Sequence, residues 1–270
     1  MVCTWAPDDF WQAARPLIPV PAARPQGGGK RRADDRAVLA AIVYLVQAGC
    51  SWAKLPAVMF GVSRSTVHRR FTEWTHDGLW VRLHQQFLHR LGMISEIDWS
   101  RAIVDSISLR AQKGATTGPN PVDRGKPGSK IHVLCDRTGL PLTVLISAAN
   151  VPDAQLLLPL LDSIIPIRGH RGRPRHVPEK LHADKAYDVR ALRAEVRRRG
   201  IGVRIARKGV ESSQRLGRHR WIVESCLSWL QHNRRLVRRY DRKAEHFQAF
   251  ADLGCLLLAY RRLTRHSHLG

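Results

Sequence analysis

The 270 residues combine 44% hydrophobic side chains with 45 Lys and Arg against 22 Asp and Glu, a formal net charge of +23. That apolar content is ample for a buried core and excludes a disordered chain, and no apolar run reaches the about 18 residues of a membrane-spanning helix. The charge would draw polyanions in a salt-dependent way, and with no basic amphipathic anchor to suggest a membrane surface, nucleic acid is the favoured partner.

The N-terminus, Met1 to Asp9, has neither a basic n-region nor a continuous apolar core, so no secretory signal is expected and the protein should stay inside the cell. Residues 15 to 33 hold four prolines and Gly27-Gly28-Gly29 before Lys30, Arg31 and Arg32, the composition of a flexible basic arm suited to a DNA groove. A helix is predicted to start near Asp34-Asp35 and to run through Val38, Ile42, Leu45 and Val46 until Gly49. Residues 55 to 74 then follow the grammar helix, glycine turn, helix. In the second helix Ser63 is the expected N-cap, with Val67, Phe71 and Trp74 inward and Arg64, Ser65, His68 and Arg69 outward, where bases and phosphates would be met. A further helix over 79 to 91 closes an expected helical DNA-binding domain covering residues 1 to 95.

After Asp98-Trp99 the pattern changes to strands. One is predicted over 101 to 109, and a β-hairpin over 130 to 146 turns at Gly139. The Gly-, Pro-, Lys- and Thr-rich residues 111 to 129 between them read as a loop. A helix over 152 to 163, a strand ending at Asp184, a helix over 188 to 199, a strand over 201 to 206 and a helix carrying Glu224 follow. The order βββαβαβα implies a mixed sheet with helices on its faces, an arrangement resembling a ribonuclease H-like core, assigned to residues 100 to 265. The whole chain thus reads as α+β: an N-terminal all-α, helix-turn-helix-like domain followed by a mixed α/β catalytic core. Cys3, Cys50, Cys135, Cys226 and Cys255 are scattered, with no Cys-x-x-Cys pair, and read as reduced thiols.

Asp105 follows the apolar run Ala102-Ile103-Val104 and Asp184 follows Leu181-His182-Ala183, so each is expected at a strand end. On the last helix Ile222, Val223, Cys226, Leu227 and Leu230 form an apolar stripe, with Arg220, Glu224 and Ser228 on the adjacent polar one. Hard carboxylate oxygens on rigid elements suit a pair of divalent ions in phosphodiester chemistry. Asp136, Asp153 and Asp188 compete for such roles, but a hairpin turn and two helix starts account for them.

These residues carry a resemblance. Val104-Asp105-Ser106, Gly128-Ser129-Lys130-Ile131-His132, His182-Ala183-Asp184-Lys185-Ala186-Tyr187-Asp188 and Arg220-Trp221-Ile222-Val223-Glu224, with the three acids 79 and 40 residues apart, are similar to bacterial insertion-sequence transposases of the DDE class, in the insertion-sequence-five group. The stretches 48 to 56 and 71 to 80 are similar to that group's helical DNA-binding region. The resemblance implies that Asp105, Asp184 and Glu224 hold two Mg2+ ions, with Mn2+ a possible substitute, and that the protein cuts and joins double-stranded DNA at its element's terminal inverted repeats and a target. It implies a homodimer in the active DNA complex, in the bacterial cytoplasm. Arg220 would contact phosphate. The group's usual Tyr and Lys are replaced here by Gly217 and Gln231, and Arg234 and Arg235, one turn beyond, are the expected substitutes for the lost DNA contact. The alternative function is a domesticated or inactive transposase acting as a DNA-binding repressor.

Overall fold

The computed structural model describes residues 1–20, 32–207, 209 and 213–267. Lys30 and Arg31 lie outside the described residues. Two short helices, α1 (Val2–Trp5) and α2 (Asp8–Ala14), precede α3 (Asp35–Ala48). The Asp34 carboxylate caps α3 by accepting from the Arg36 N–H at 3.1 Å, and Gly49 ends it at φ +69°. Glycine is required there on two counts: the left-handed backbone, and the Arg234 Cβ, which would lie 2.6 Å from an added methyl. Ser63 Oγ accepts from the Thr66 N–H at 3.2 Å and opens α4 (Arg64–His76), which α5 (Leu79–Met93) follows.

The helix-turn-helix expectation is corrected in its first half. Residues Ala57–Phe60 make a single 3₁₀ turn, because Pro56 and Gly61 leave room for only four residues between them. The longer helix that packs on α4 is α3.

The sheet begins with β1 (Ala102–Arg110), followed by the two-residue β2 (Gly118–Pro119), β3 (Pro127–Asp136) and β4 (Pro141–Ala148). β2 and the start of β3 occupy part of the expected loop. Gly139, at φ +82°, turns the β3–β4 hairpin. Helix α6 (Leu157–Asp162), β5 (Lys180–Ala183), α7 (Arg190–Arg198) and β6 (Gly202–Ile205) come next. The chain then forms α8 (Ser213–Gln231) and α9 (Ala244–Ser267).

β3 is antiparallel to both β1 and β4, while β5 is parallel to β1 and β6 is parallel to β5. The long strands therefore lie in the order β4-β3-β1-β5-β6, with only β3 reversed. This is the ribonuclease H-like arrangement. Helix α8 lies against β1 and β3, and α9 is held between β4 and the N-terminal helices. No helix of the described residues is long and apolar enough to cross a membrane. None of the five cysteines is bridged.

Candidate active site

Asp105 is the fourth residue of β1 rather than its last, a correction to the expected strand end. What ends there is the neighbour. β5 pairs with β1 only as far as Ile103↔His182, and just beyond that pairing Asp105 and Asp184 line one cleft, close enough for the charge of Asp184 to act on Asp105. Asp184 lies just past β5, where its carboxylate caps the turn Lys185–Tyr187 by accepting from the Ala186 N–H at 2.8 Å.

Glu224 reaches this point from α8. Ile222, Val223, Cys226, Leu227 and Leu230 are buried, as the apolar stripe predicts, and Arg220, Glu224 and Ser228 face solvent. One helical turn apart, Arg220 Nε lies 3.1 Å from Glu224 Oε1 and 3.7 Å from Asp105 Oδ2. A guanidinium thus links two of the acids, while the third, Asp184, lines the same cleft as Asp105.

Burial pushes the Asp105 carboxyl up to about 6, and the charges of Asp184 and Asp153 add to the rise; the Ser106 N–H and Arg220 oppose it. Tyr187 is fully buried, and burial followed by the charges of Asp153, Asp105 and Asp184 raises its hydroxyl above the usual phenol range. Its oxygen has no hydrogen-bond partner among the described residues.

Asp153, which the sequence explains as a helix start, therefore also belongs to this neighbourhood. It accepts from Lys130 Nζ at 2.8 Å and lies 3.9 Å from His132 Nδ1. Burial keeps His132 neutral by lowering its pKa to about 4, and its Nε2 pairs with Ser147 Oγ at 2.7 Å. The signal was present in the sequence: Lys130 and His132 are two apart on one strand and so share a face.

Asp105 and Asp184 line a cleft of about 440 Å³ that also exposes Arg193, Arg197, Arg204, Arg207 and Arg220. Only Arg220 among these arginines was singled out from sequence. Hard oxygens on three rigid elements suit a divalent cation such as magnesium. Among the described residues no three His, Cys, Asp or Glu side chains already form a metal-binding group, and Arg220 supplies the positive charge between Asp105 and Glu224.

Of the expected DNA-contacting residues, Arg64, Ser65, His68 and Arg69 are exposed on α4. Arg64 Nε donates to the Leu55 carbonyl at 2.9 Å, Arg69 pairs with Glu73 at 2.7 Å, and the His68 ring meets Trp52 edge-on at 4.8 Å. Arg32 pairs with Asp35 at 2.9 Å. Arg234 is exposed, but Arg235 is not: it is 2% exposed, bonded to both Asp241 oxygens at 3.0 and 3.1 Å and to the Cys50 carbonyl at 2.9 Å. Its expected DNA contact is corrected to a buried ion pair, because its donors are directed into the fold.

Strand order and the carboxylates on the central strands together define an α+β protein of the ribonuclease H-like class. Within that class, residues 99–259 match the family described as "Transposase DDE domain" and residues 7–84 the one described as "Putative transposase of IS4/5 family". The chain belongs to the DDE-domain transposases of the IS4/5 family. It is 45% identical over 165 residues, 61% of this chain and 77% of the relative, to a "Putative transposase for insertion sequence element IS402" of Burkholderia cepacia. It is also 39% identical over 105 residues, 38% of this chain and 71% of the relative, to the "Insertion element IS402 uncharacterized 16.2 kDa protein" of the same organism. Among solved structures, a piggyBac transposase synaptic complex with hairpin DNA gives a TM-score of 0.45 at 10% identity, covering 99% of this chain and 75% of that one. The Mos1 strand transfer complex gives 0.31 at 13% identity, covering 88% and 81%. Strand topology, and not these low overall similarities, carries the fold assignment.

Proposed function

We propose that the protein binds the terminal inverted repeats of its own insertion sequence and catalyses metal-dependent cleavage and transfer of the DNA strand ends. One observation carries the reading: the Arg220 guanidinium lies 3.1 Å from Glu224 and 3.7 Å from Asp105, and Asp105 and Asp184 line one basic cleft, so three segments far apart in sequence bring their acids into one neighbourhood. The carboxylates of Asp105, Asp184 and Glu224 are the donors that would hold two magnesium ions, whose chemistry is to activate the attacking oxygen and stabilise the leaving one.

The protein's own part is positioning. β1 carries Asp105, the turn after β5 holds Asp184 through the Ala186 N–H, and the buried stripe of α8 fixes the face from which Glu224 projects. Arg220 balances the acids in the free protein, and a guanidinium in that place can pair with a phosphate once the carboxylates are otherwise engaged. Residues 1 to 95 would recognise the repeat through the exposed face of α4 and the arm at 30 to 32, and residues 100 to 265 would carry the chemistry. An element has two ends, so the active complex would be a homodimer on DNA, inside the cell.

The test is nicking and joining of a labelled repeat-end duplex in magnesium, beside a binding titration. Glu224→Gln keeps the side chain's size but removes its charge, so activity should fall by more than the roughly 10–100-fold that losing an outer-shell partner costs, while affinity for the duplex is retained. A Glu224→Gln protein that nicks at the parent rate would overturn the assignment. A parent that binds the repeat but cuts it in neither magnesium nor manganese would instead identify a repressor.

A further inference from the structure

Helix α7 ends in three consecutive arginines that point about 100° apart and differ in their partners. Arg198 pairs with Glu195 at 2.6 Å, and Arg199 with Asp162 at 2.6 Å and Glu195 at 3.1 Å. Arg197 lines the cleft and forms no ion pair among the described residues. The same holds for Arg204 on β6 and Arg207 just beyond it, and Arg204 makes only a 3.4 Å bond to the Val203 carbonyl. All three are exposed. Arg193 in the same cleft is committed to the fold, donating to Asp188 at 2.7 Å and to the Ile205 carbonyl at 2.8 Å. Three guanidiniums with no ion pair among the described residues repel one another in a half-enclosed cleft and contribute nothing evident to folding, but they raise its attraction for an anion.

Other polar groups around the carboxylates are committed to the fold. Lys130 is occupied by Asp153 and the Val151 carbonyl, and Tyr187 is buried. β6 is the edge strand, so the basic flank opens outward at the side of the sheet. We infer that Arg197, Arg204 and Arg207 form a phosphate track that carries the backbone of one DNA strand from Asp105 and Asp184 out over the β6 edge. At about 440 Å³ the cleft is on the scale of a small-ligand pocket and admits a segment of one strand, not a duplex. A lone charged residue on β6 could merely discourage edge-to-edge pairing; Arg197, on a helix, has no such role. The inference rests on the DNA-processing reading above.

The experiment compares the parent, the triple variant Arg197→Gln/Arg204→Gln/Arg207→Gln, the corresponding triple Lys variant, and Arg198→Gln as a control one residue away. Binding of a labelled repeat-end duplex is titrated between 50 and 200 mM salt without divalent ion (roughly the range over which phosphate contacts are resolved), and nicking in magnesium is followed separately. Loss of three phosphate contacts should flatten the slope of log K against log salt by about 2 to 3 and weaken binding on the order of 100-fold at 0.1 M salt. The triple Gln variant should raise KM for nicking and leave kcat within a few-fold of the parent. The triple Lys variant should keep the parent's slope, and Arg198→Gln should match the parent in every readout. An unchanged slope and KM in a folded triple Gln variant would overturn the track. An equal loss in Arg198→Gln would replace it with the protein's general field. Unchanged DNA binding with a lost dimer would reassign the arginines to a protein interface. A parent that binds but never nicks defeats the catalytic reading alone, since the slopes still decide the track.

Discussion

Arg234 and Arg235 are adjacent and chemically identical, yet the fold gives them opposite fates. Sequence places both one turn beyond Gln231 as DNA contacts, and nothing local separates them, because the partner that buries Arg235 is Asp241 in the following turn. Removing one member of a buried pair leaves the other charge uncompensated, so Arg235→Ala should destabilise the protein by about 3–5 kcal/mol. Arg234→Ala, at an exposed position, should stay within about 0.5 kcal/mol. Urea unfolding of both variants is the measurement, and equal midpoints would contradict the assignment. The same distinction governs how far the site was legible. Asp105, Asp184 and Glu224 stood out because each ends or interrupts an apolar pattern. Asp153 did not, since its helix-start position already accounted for it and its contact with Lys130 spans 23 residues. Arg197, Arg204 and Arg207 were hidden among 45 basic residues until the cleft collected them.

The last two helices differ in how far their sequences show them. Helix α8 shows an apolar stripe beside a polar one because only one side meets the sheet. Helix α9 has no such contrast, since Phe247, Phe250, Leu253, Leu256 and Leu257 are buried as it passes between α5 and β4, and its sequence shows no single apolar stripe from which a helix is expected. The helix also completes β4. Gln248 Oε1 accepts from the Ile146 N–H at 3.1 Å and its Nε2 donates to the Val144 carbonyl at 2.9 Å, so an amide side chain takes the place of a neighbouring strand. Gln248→Leu preserves bulk but strands both backbone groups. It should cost roughly 2–6 kcal/mol, since each buried group left unpaired costs about 1–3. Faster amide exchange at Ile146 would accompany the loss, and an unchanged exchange rate there would show that water substitutes for the side chain.

For the molecule as a whole, one apolar core runs from the N-terminal helices through α9 into the sheet, so acid stability depends on groups buried where those parts meet. His84 on α5 is such a group: it is 7% exposed, its Nε2 has no hydrogen-bond partner among the described residues, and burial pulls it down to about 4 against the smaller opposing effect of the Pro141 backbone at the start of β4. In the unfolded chain a histidine takes its proton near 6.5. Between those values the unfolded state binds more protons, so His84 stabilises the fold fully above about pH 6.5 and loses that contribution as pH falls through about 4. The loss at pH 5 relative to pH 7.5 amounts to about 2 kcal/mol. His132, also lowered to about 4 by burial, titrates in the same direction, so the parent should show both contributions and a variant lacking His84 only one. His84→Gln keeps a polar side chain that can still donate and removes the titration. Its urea midpoint should therefore fall less steeply than the parent's between pH 7.5 and 5, even if the variant is slightly less stable at the upper end. Identical pH slopes would mean that His84 binds its proton equally in the folded and unfolded states, and the acid sensitivity would then belong to His132 and to the self-repulsion of a chain that carries a net charge of +23 before any histidine is protonated.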